Sequence, residues 1–172
     1  MIKSKELKKY LDFAYKAYQE NNISEPDQTY RQDGKVPYIM HPLWCASMLI
    51  ADTQIPWEQR ELGFKVLILH DVLEDTSLKL PEWVEMKVVD MIKELTFKNS
   101  DEALEKILSK PKFIKLLGLY DALSGMYENH VNLQRRSKWK EAVAILIKEV
   151  EKEYGNIRIV QVGKAITENT NW

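Results

Sequence analysis

The chain has 172 residues, of which 45% are apolar and 30% are charged, and its net charge at pH 7 is −1. This composition is ordinary for a globular protein and excludes a disordered chain. The nearly balanced charge gives no general attraction to nucleic acid or to a membrane surface. We therefore expect one domain over residues 1–172, with no nucleic-acid partner and no membrane partner.

The first half of the chain predicts three helices. Apolar residues recur at steps of three and four over residues 6–20, which indicates an amphipathic helix. Residues 21–38 are polar and contain two prolines and a glycine, so we predict a loop. A second helix is expected over residues 41–52. The nearly continuous apolar run that follows predicts a third helix from Trp57 to Glu74.

The second half predicts four further helices, over residues 81–96, 99–110, 113–130 and 137–155. The last 17 residues are ambiguous, because IRIVQV alternates like a strand while an isolated strand has nothing to pair with. The sequence therefore predicts an all-α fold, a single bundle of about seven or more helices.

Cysteine content and the N-terminus indicate the cellular compartment. The single cysteine, Cys45, cannot form an internal disulfide, which favours a reducing environment. The N-terminal sequence MIKSKELKKY lacks the apolar core of a signal peptide, and no segment reaches the roughly 20 apolar residues of a membrane span. We expect a cytoplasmic protein. Nothing in the sequence specifies an oligomeric state.

Two histidines and two aspartates stand in order within three short runs, VPYIMHPL, LILHDVLEDT and LGLYDALSGM. A lone histidine in an apolar stretch is usually a hydrogen-bonded core residue, whereas a buried aspartate needs a partner or a metal. Adjacent residues leave a helix about 100° apart, so the His-Asp pair meets one ion only if the backbone lies close to it. Mixed nitrogen and oxygen donors suit Mn²⁺, Fe²⁺ or Zn²⁺. The candidate metal ligands are His41, His70, Asp71 and Asp121.

Two further acidic residues, Glu74 and Asp75, follow one helical turn after His70 and Asp71. They place carboxylates beside the proposed metal, where a group that activates water is needed. Their alternative role is a solvated acidic helix end. Acidic side chains at a helix C-terminus are disfavoured by the helix dipole, which argues for a functional reason for the pair.

The ordered donors resemble the H…HD…D pattern of the HD phosphohydrolase superfamily. A longer match, from about Glu6 to Lys138, resembles the hydrolase domain of the RelA/SpoT group. Single-domain members of this group are small alarmone hydrolases, which remove the 3′-pyrophosphate from guanosine tetraphosphate and pentaphosphate in the stringent response. The matching elements are Arg31, Gly34, PYIMHP (37–42), LILHDVLEDT (67–76) and LYDALSGM (119–126).

The resemblance implies an HD-domain helical bundle with one Mn²⁺ bound by the four candidate ligands. It also implies that Glu74 and Asp75 orient a water molecule and take its proton. Two-metal HD enzymes carry additional histidines, and only His130 remains here. The chain continues for about 50 residues after Asp121, so we expect no alarmone synthetase activity.

Substrate contacts match the RelA/SpoT group less completely. The group has a basic pair before its PYxxHP motif; Arg31 matches the first member, and Gln32 replaces the second. An asparagine that contacts the substrate follows the fourth ligand in the group, and this chain has Gly125 there. The candidate substrate-binding residues are Arg31, Lys35, Lys115 and Tyr127.

The resemblance implies a Mn²⁺-dependent pyrophosphohydrolase acting on guanosine tetraphosphate or pentaphosphate. The replacements at Gln32 and Gly125 favour an alternative, an HD phosphohydrolase of another phosphorylated or cyclic nucleotide. A second alternative is a non-catalytic HD-fold regulator that binds nucleotides. A regulator without catalytic activity would be expected to have lost one of the ligands or a member of the acidic pair. All of these residues are present.

Overall fold

The computed structural model describes residues 4–19, 36–98, 100–126 and 133–168. Within these ranges the chain forms α-helices and no β-strand, so the predicted all-α class is confirmed. The helices are α1 (Ser4–Ala17), α2 (Met40–Ala51), α3 (Trp57–Leu67), α4 (Val72–Asp75), α5 (Met86–Leu95), α6 (Ser100–Lys106), α7 (Lys112–Met126), α8 (Leu133–Tyr154) and α9 (Arg158–Glu168), with a 3₁₀ turn at Ile107–Ser109 after α6. None of the helices in the described ranges is long and apolar enough to cross a membrane.

The centre of the bundle is α7, which packs against α2, α3, α5, α8 and α9. Eleven of its 15 residues are buried. A helix that is apolar on all sides is stable only when other elements surround it, which explains its central place. Asp121 is one of the few residues of α7 that remain partly exposed. The bundle therefore opens to solvent beside a predicted metal ligand.

The predicted continuous helix from Trp57 to Glu74 is wrong near its end. Helix α3 ends at Leu67, and turn residues 68–71 lead into the short α4. Here the N–H of Leu69 donates to the carbonyl of Val66 at 3.1 Å, a three-residue step tighter than an α-helix. The apolar run is buried in either geometry, so its pattern does not distinguish them. The break contains His70 and Asp71.

Other helix limits also differ from the prediction. The helix predicted from residue 81 begins at Met86, because the N–H of Val84 closes a turn onto the carbonyl of Pro81 at 3.0 Å. Helix α8 begins at Leu133, earlier than predicted. Residues 127–130, predicted as the end of the sixth helix, and residues 21–35 of the predicted loop lie outside the described ranges.

The ambiguous C-terminal segment is a helix, α9. Its buried residues follow the i, i+1, i+4, i+7 spacing of one face of a helix: Ile159, Val160, Gly163 and Ile166. A Cβ at Gly163 would lie 2.8 Å from Cδ1 of Ile147, so this glycine permits the close approach of α9 to α8. Gly155, with a positive φ of 74°, ends α8 and lets the chain turn back.

Candidate metal centre

Side chains from three separate parts of the fold converge on one point. His41 lies in the first turn of α2, His70 and Asp71 lie in the break after α3, and Asp121 lies on α7. Nε2 of His41 is 3.0 Å from Oδ1 of Asp121, 3.2 Å from Nε2 of His70 and 3.4 Å from Oδ2 of Asp71. Nε2 of His70 is 3.1 Å from Oδ1 of Asp71 and 3.4 Å from Oδ1 of Asp121. The structure thus brings together all four predicted ligands.

The distances among His41, His70 and Asp121 fit a common ion. Nitrogen and oxygen ligands at about 2.1 Å from a metal, arranged at right angles, are about 3 Å apart. One nitrogen or oxygen atom from each of His41, His70 and Asp121 lies within 4.8 Å of the others, and His41 and His70 are buried. Asp71 is also buried and contacts both imidazoles. This donor set suits a borderline divalent metal such as Mn²⁺, Fe²⁺ or Zn²⁺.

Both histidines are oriented through their other ring nitrogen. Nδ1 of His70 lies 2.8 Å from the carbonyl oxygen of Leu67 and donates its hydrogen there. In the neutral ring Nε2 then carries a lone pair that points at the cluster. Nδ1 of His41 lies 2.9 Å from Oγ of Ser124. Hydrogen bonds of this kind fix ring orientation in metal sites.

The carboxylates of the cluster draw positive charge toward them. Burial lowers the pKa of His70, but Asp71 and then Asp121 outweigh burial and raise it to about 10. Burial raises the pKa of Asp121, but hydrogen bonds from His41 and His70 hold it well below its usual range. Buried carboxylates need a balancing positive charge, which the protonated ring of His70 supplies in the absence of a metal and which a divalent cation can supply in its place. The residues therefore fit a divalent metal.

The acidic pair lies beside this cluster, on α4. Burial and the charge of Asp71 raise the pKa of Glu74 to about 7, while a hydrogen bond from the N–H of Phe97 opposes the shift. Burial and Asp71 raise the pKa of Asp75 to about 6, against a hydrogen bond from Tyr38. Carboxyl groups with raised pKa values beside a metal site can take a proton near neutral pH.

Of the predicted substrate contacts, Lys115 lies in the described ranges, and Arg31, Lys35 and Tyr127 lie outside them. Lys115 is buried on α7, six residues before Asp121, which is about 9 Å along the helix and about 120° around it. Its Nζ lies 3.3 Å from Oε1 of Glu153, so α8 supplies an opposite charge. Contact of Lys115 with a substrate stays a prediction.

Two residues in contact with the site were not predicted, Tyr38 and Ser124. The hydroxyl of Tyr38 lies 2.7 Å from Oδ2 of Asp71 and also donates to Oδ2 of Asp75. Ser124 follows Asp121 by three residues in an apolar helix. A buried hydroxyl needs a hydrogen-bond partner. A serine in this apolar helix could therefore have been recognised from the sequence as a residue that contacts another polar group.

Comparisons with known proteins support the same fold. No protein-family model matches the chain, and no curated protein does. Among solved structures the chain is similar to one described as a metazoan ortholog of SpoT that hydrolyses ppGpp and plays a role in starvation responses. The match has a TM-score of 0.74 and 16% sequence identity, and it covers 99% of this chain and 98% of that chain. The chain therefore has the fold of an HD-type RelA/SpoT hydrolase domain.

Proposed function

We propose that this protein is a metal-dependent phosphohydrolase that removes the 3′-pyrophosphate from guanosine tetraphosphate and pentaphosphate. The observation that carries the proposal is the convergence of two imidazoles and two carboxylates at distances of 3.0–3.4 Å. It is supported by the fold, which is shared with a SpoT ortholog that hydrolyses ppGpp. The acidic pair on α4 supplies groups that can accept a proton.

In this proposal His41, His70, Asp71 and Asp121 bind one divalent cation, Mn²⁺. Such an ion, when bound, lowers the pKa of a coordinated water and polarises a phosphoryl oxygen. The hydrogen bonds from His70 to Leu67 and between His41 and Ser124 keep both Nε2 atoms directed at the ion. The four residues come from distant parts of the chain, so folding itself assembles the site.

Glu74 and Asp75 handle the proton in this mechanism. Both carboxyl groups have raised pKa values, about 7 and about 6. A base is most effective when its pKa is near the working pH, because it is then both largely ionised and able to hold a proton. We assign to this pair the orientation of the attacking water and the acceptance of its proton.

The substrate's phosphates require positive charge at the mouth of the site. In the described ranges, the side chains of the cluster and of the acidic pair are all imidazoles or carboxylates, and none is a lysine or an arginine. We assign the phosphate and nucleoside contacts to Arg31 and Lys35, with Tyr127 and Lys115 as further candidates. Lys115 is the weakest of these, because Glu153 already pairs with its ammonium group.

A second candidate is a phosphohydrolase of another phosphorylated nucleotide, and Gly125 favours it. Gly125 follows Asp121 by one helical turn, so it lies on the same face of α7. The nearest side chain to a Cβ placed there is Trp139, at 3.8 Å. Where the RelA/SpoT group has a polar side chain, this chain therefore has a short gap that ends at the indole of Trp139.

The test is a turnover assay of metal-stripped protein with added Mn²⁺ across a panel of nucleotides. The panel contains guanosine tetraphosphate and pentaphosphate, their adenosine counterparts, NADPH, nucleoside mono- and triphosphates and cyclic nucleotides. We expect pyrophosphate release from the two guanosine alarmones. Turnover of a different nucleotide would support the second candidate, and the absence of any turnover with Mn²⁺, Fe²⁺ or Zn²⁺ would contradict both.

A further inference from the structure

We infer that Tyr38 is a positioning residue that holds the carboxylate of Asp75 in a fixed relation to that of Asp71; this inference rests on the proposed function. Tyr38 lies in the turn before α2, whereas the two aspartates lie at the two ends of α4. Its hydroxyl oxygen is 2.7 Å from Oδ2 of Asp71 and is hydrogen-bonded to Oδ2 of Asp75. One hydroxyl thus joins a proposed metal ligand to a proposed water-orienting group.

The hydroxyl matters more to Asp75 than to Asp71. Asp71 also contacts Nε2 of His41 and Nε2 of His70, so its carboxylate has other partners. Within the described ranges, Tyr38 is the only side chain that hydrogen-bonds to the carboxylate of Asp75. A hydroxyl has a single hydrogen, so it donates to one carboxylate at a time. The hydroxyl is therefore shared between the two carboxylates, and its loss removes a partner from each.

The ring of Tyr38 is held in place independently of its hydroxyl. It packs against the ring of Tyr18 with centroids 5.5 Å apart, and its edge meets the ring of His41 at 6.2 Å. Tyr18 is buried and lies directly after the end of α1. Replacing Tyr38 by phenylalanine therefore removes the hydrogen bonds and leaves the aromatic packing.

Tyr18 provides a matched control. Its hydroxyl is buried and makes no hydrogen bond to a side chain within the described ranges. Tyr18→Phe and Tyr38→Phe each remove one buried hydroxyl from the same aromatic pair, but only the second breaks a contact with a carboxylate. A general effect of losing a hydroxyl from this pair would appear in both variants.

The first measurement is steady-state turnover at saturating Mn²⁺. We expect Tyr38→Phe to lower kcat about tenfold or more with little change in KM, as for loss of a hydrogen bond to a charged group. Tyr18→Phe stays within about twofold of the unaltered protein. Because Tyr38 acts through Asp75, adding Tyr38→Phe to Asp75→Asn lowers kcat little further. An unchanged kcat in Tyr38→Phe, or fully additive effects in the double variant, would overturn the inference.

The second measurement does not depend on turnover. Mn²⁺ is titrated calorimetrically into metal-stripped protein, after circular dichroism has shown that each variant is folded. We expect Tyr38→Phe to weaken Mn²⁺ binding about tenfold, as for other outer partners of metal ligands, and Tyr18→Phe to leave it unchanged. Equal affinities in all three proteins would overturn the inference whether or not a nucleotide is hydrolysed. No turnover, together with a weakened Mn²⁺ affinity in Tyr38→Phe, would contradict only the proposed function.

Discussion

Two clusters of charged side chains lie close together along the chain, one around Lys65 within α3 and one around His70 and Asp71 just beyond its end. Nζ of Lys65 is 2.5 Å from Oε1 of Glu6 and 2.6 Å from Oε1 of Glu85. In the second cluster the carboxylates face imidazoles, and no lysine or arginine of the described ranges is paired with them. The first cluster contains its own permanent cation, and the second does not.

We interpret the first cluster as structural and the second, in line with the proposed function, as a metal site. Burial lowers the pKa of Lys65, but Glu6 and Glu85 outweigh burial and raise it well above its usual range. The lysine is therefore permanently charged, and it links α1, α3 and the start of α5. In the His70–Asp71 cluster the carboxylates raise the pKa of His70 to about 10, so the balancing charge is a removable proton, and the cluster has no permanent cation until a metal binds. A site that is incomplete in this way costs stability when empty and gains it when a cation binds.

The largest effect is expected from removing a ligand. Asp71→Asn should abolish tight Mn²⁺ binding and lower turnover by about 10³-fold or more, because a metal contributes several kcal/mol to such reactions. Elemental analysis and the nucleotide assay measure the two losses. Asp90→Asn, an exposed aspartate on α5, is the matched control. Full metal content and activity in Asp71→Asn would contradict the metal assignment.

The next effect concerns the proton acceptor. Glu74→Gln should keep the metal and lower kcat by about 10²-fold, because the amide cannot take a proton. Turnover and metal content are measured on the same preparation, with Glu82→Gln, an exposed residue, as the control. An unchanged kcat would transfer the role to Asp75.

Metal removal should lower the melting temperature. The four ligands join α2, the break after α3 and α7, and a bound ligand at 100 times its Kd stabilises the folded state by about 2.7 kcal/mol. For a protein of this size that corresponds to about 5–10 °C. Thermal scans with Mn²⁺ and with a chelator measure the shift. The Asp71→Asn variant should show no shift, and an equal shift there would place the stabilising ion elsewhere.

The smallest effect should come from the first cluster. Lys65→Met should lower the free energy of unfolding by about 1–2 kcal/mol, less than for a fully buried ion pair, because Glu6 and Glu85 are 39% and 51% exposed. Urea denaturation measures the loss, and Lys87→Met, an exposed lysine, is the control. Mn²⁺ affinity should not change. A parallel loss of affinity would show that the two clusters are coupled and would end the distinction between them.

The candidate donors could be picked out from the sequence because their chemistry conflicts with their surroundings, and the structure places them close together. Asp71 and Asp121 lie in strongly apolar segments, where a carboxylate needs a partner. The partners themselves were less visible. Ser124 and Tyr38 are side chains of ordinary types, and their contacts depend on how α2, α4 and α7 pack together.

The helices were predictable wherever one face is apolar, and less so where both faces are buried. Residues 64–72 are buried throughout, so an apolar run there fits a continuous helix and a broken one equally well. At the C-terminus the alternation in IRIVQV resembled a strand, and only packing against α7 and α8 decides for a helix. Tertiary contacts set both outcomes, and a local pattern contains little information about them.

The break after α3 also limits how this protein can be engineered for thermal stability. In an unbroken α-helix the carbonyl of Leu67 would accept the N–H of Asp71; here the imidazole of His70 takes that carbonyl. Any change that restored the backbone bond from Asp71 to Leu67 would turn His70 and Asp71 about 100° apart. A designer who made this helix continuous would therefore disperse the candidate metal ligands without altering any of them.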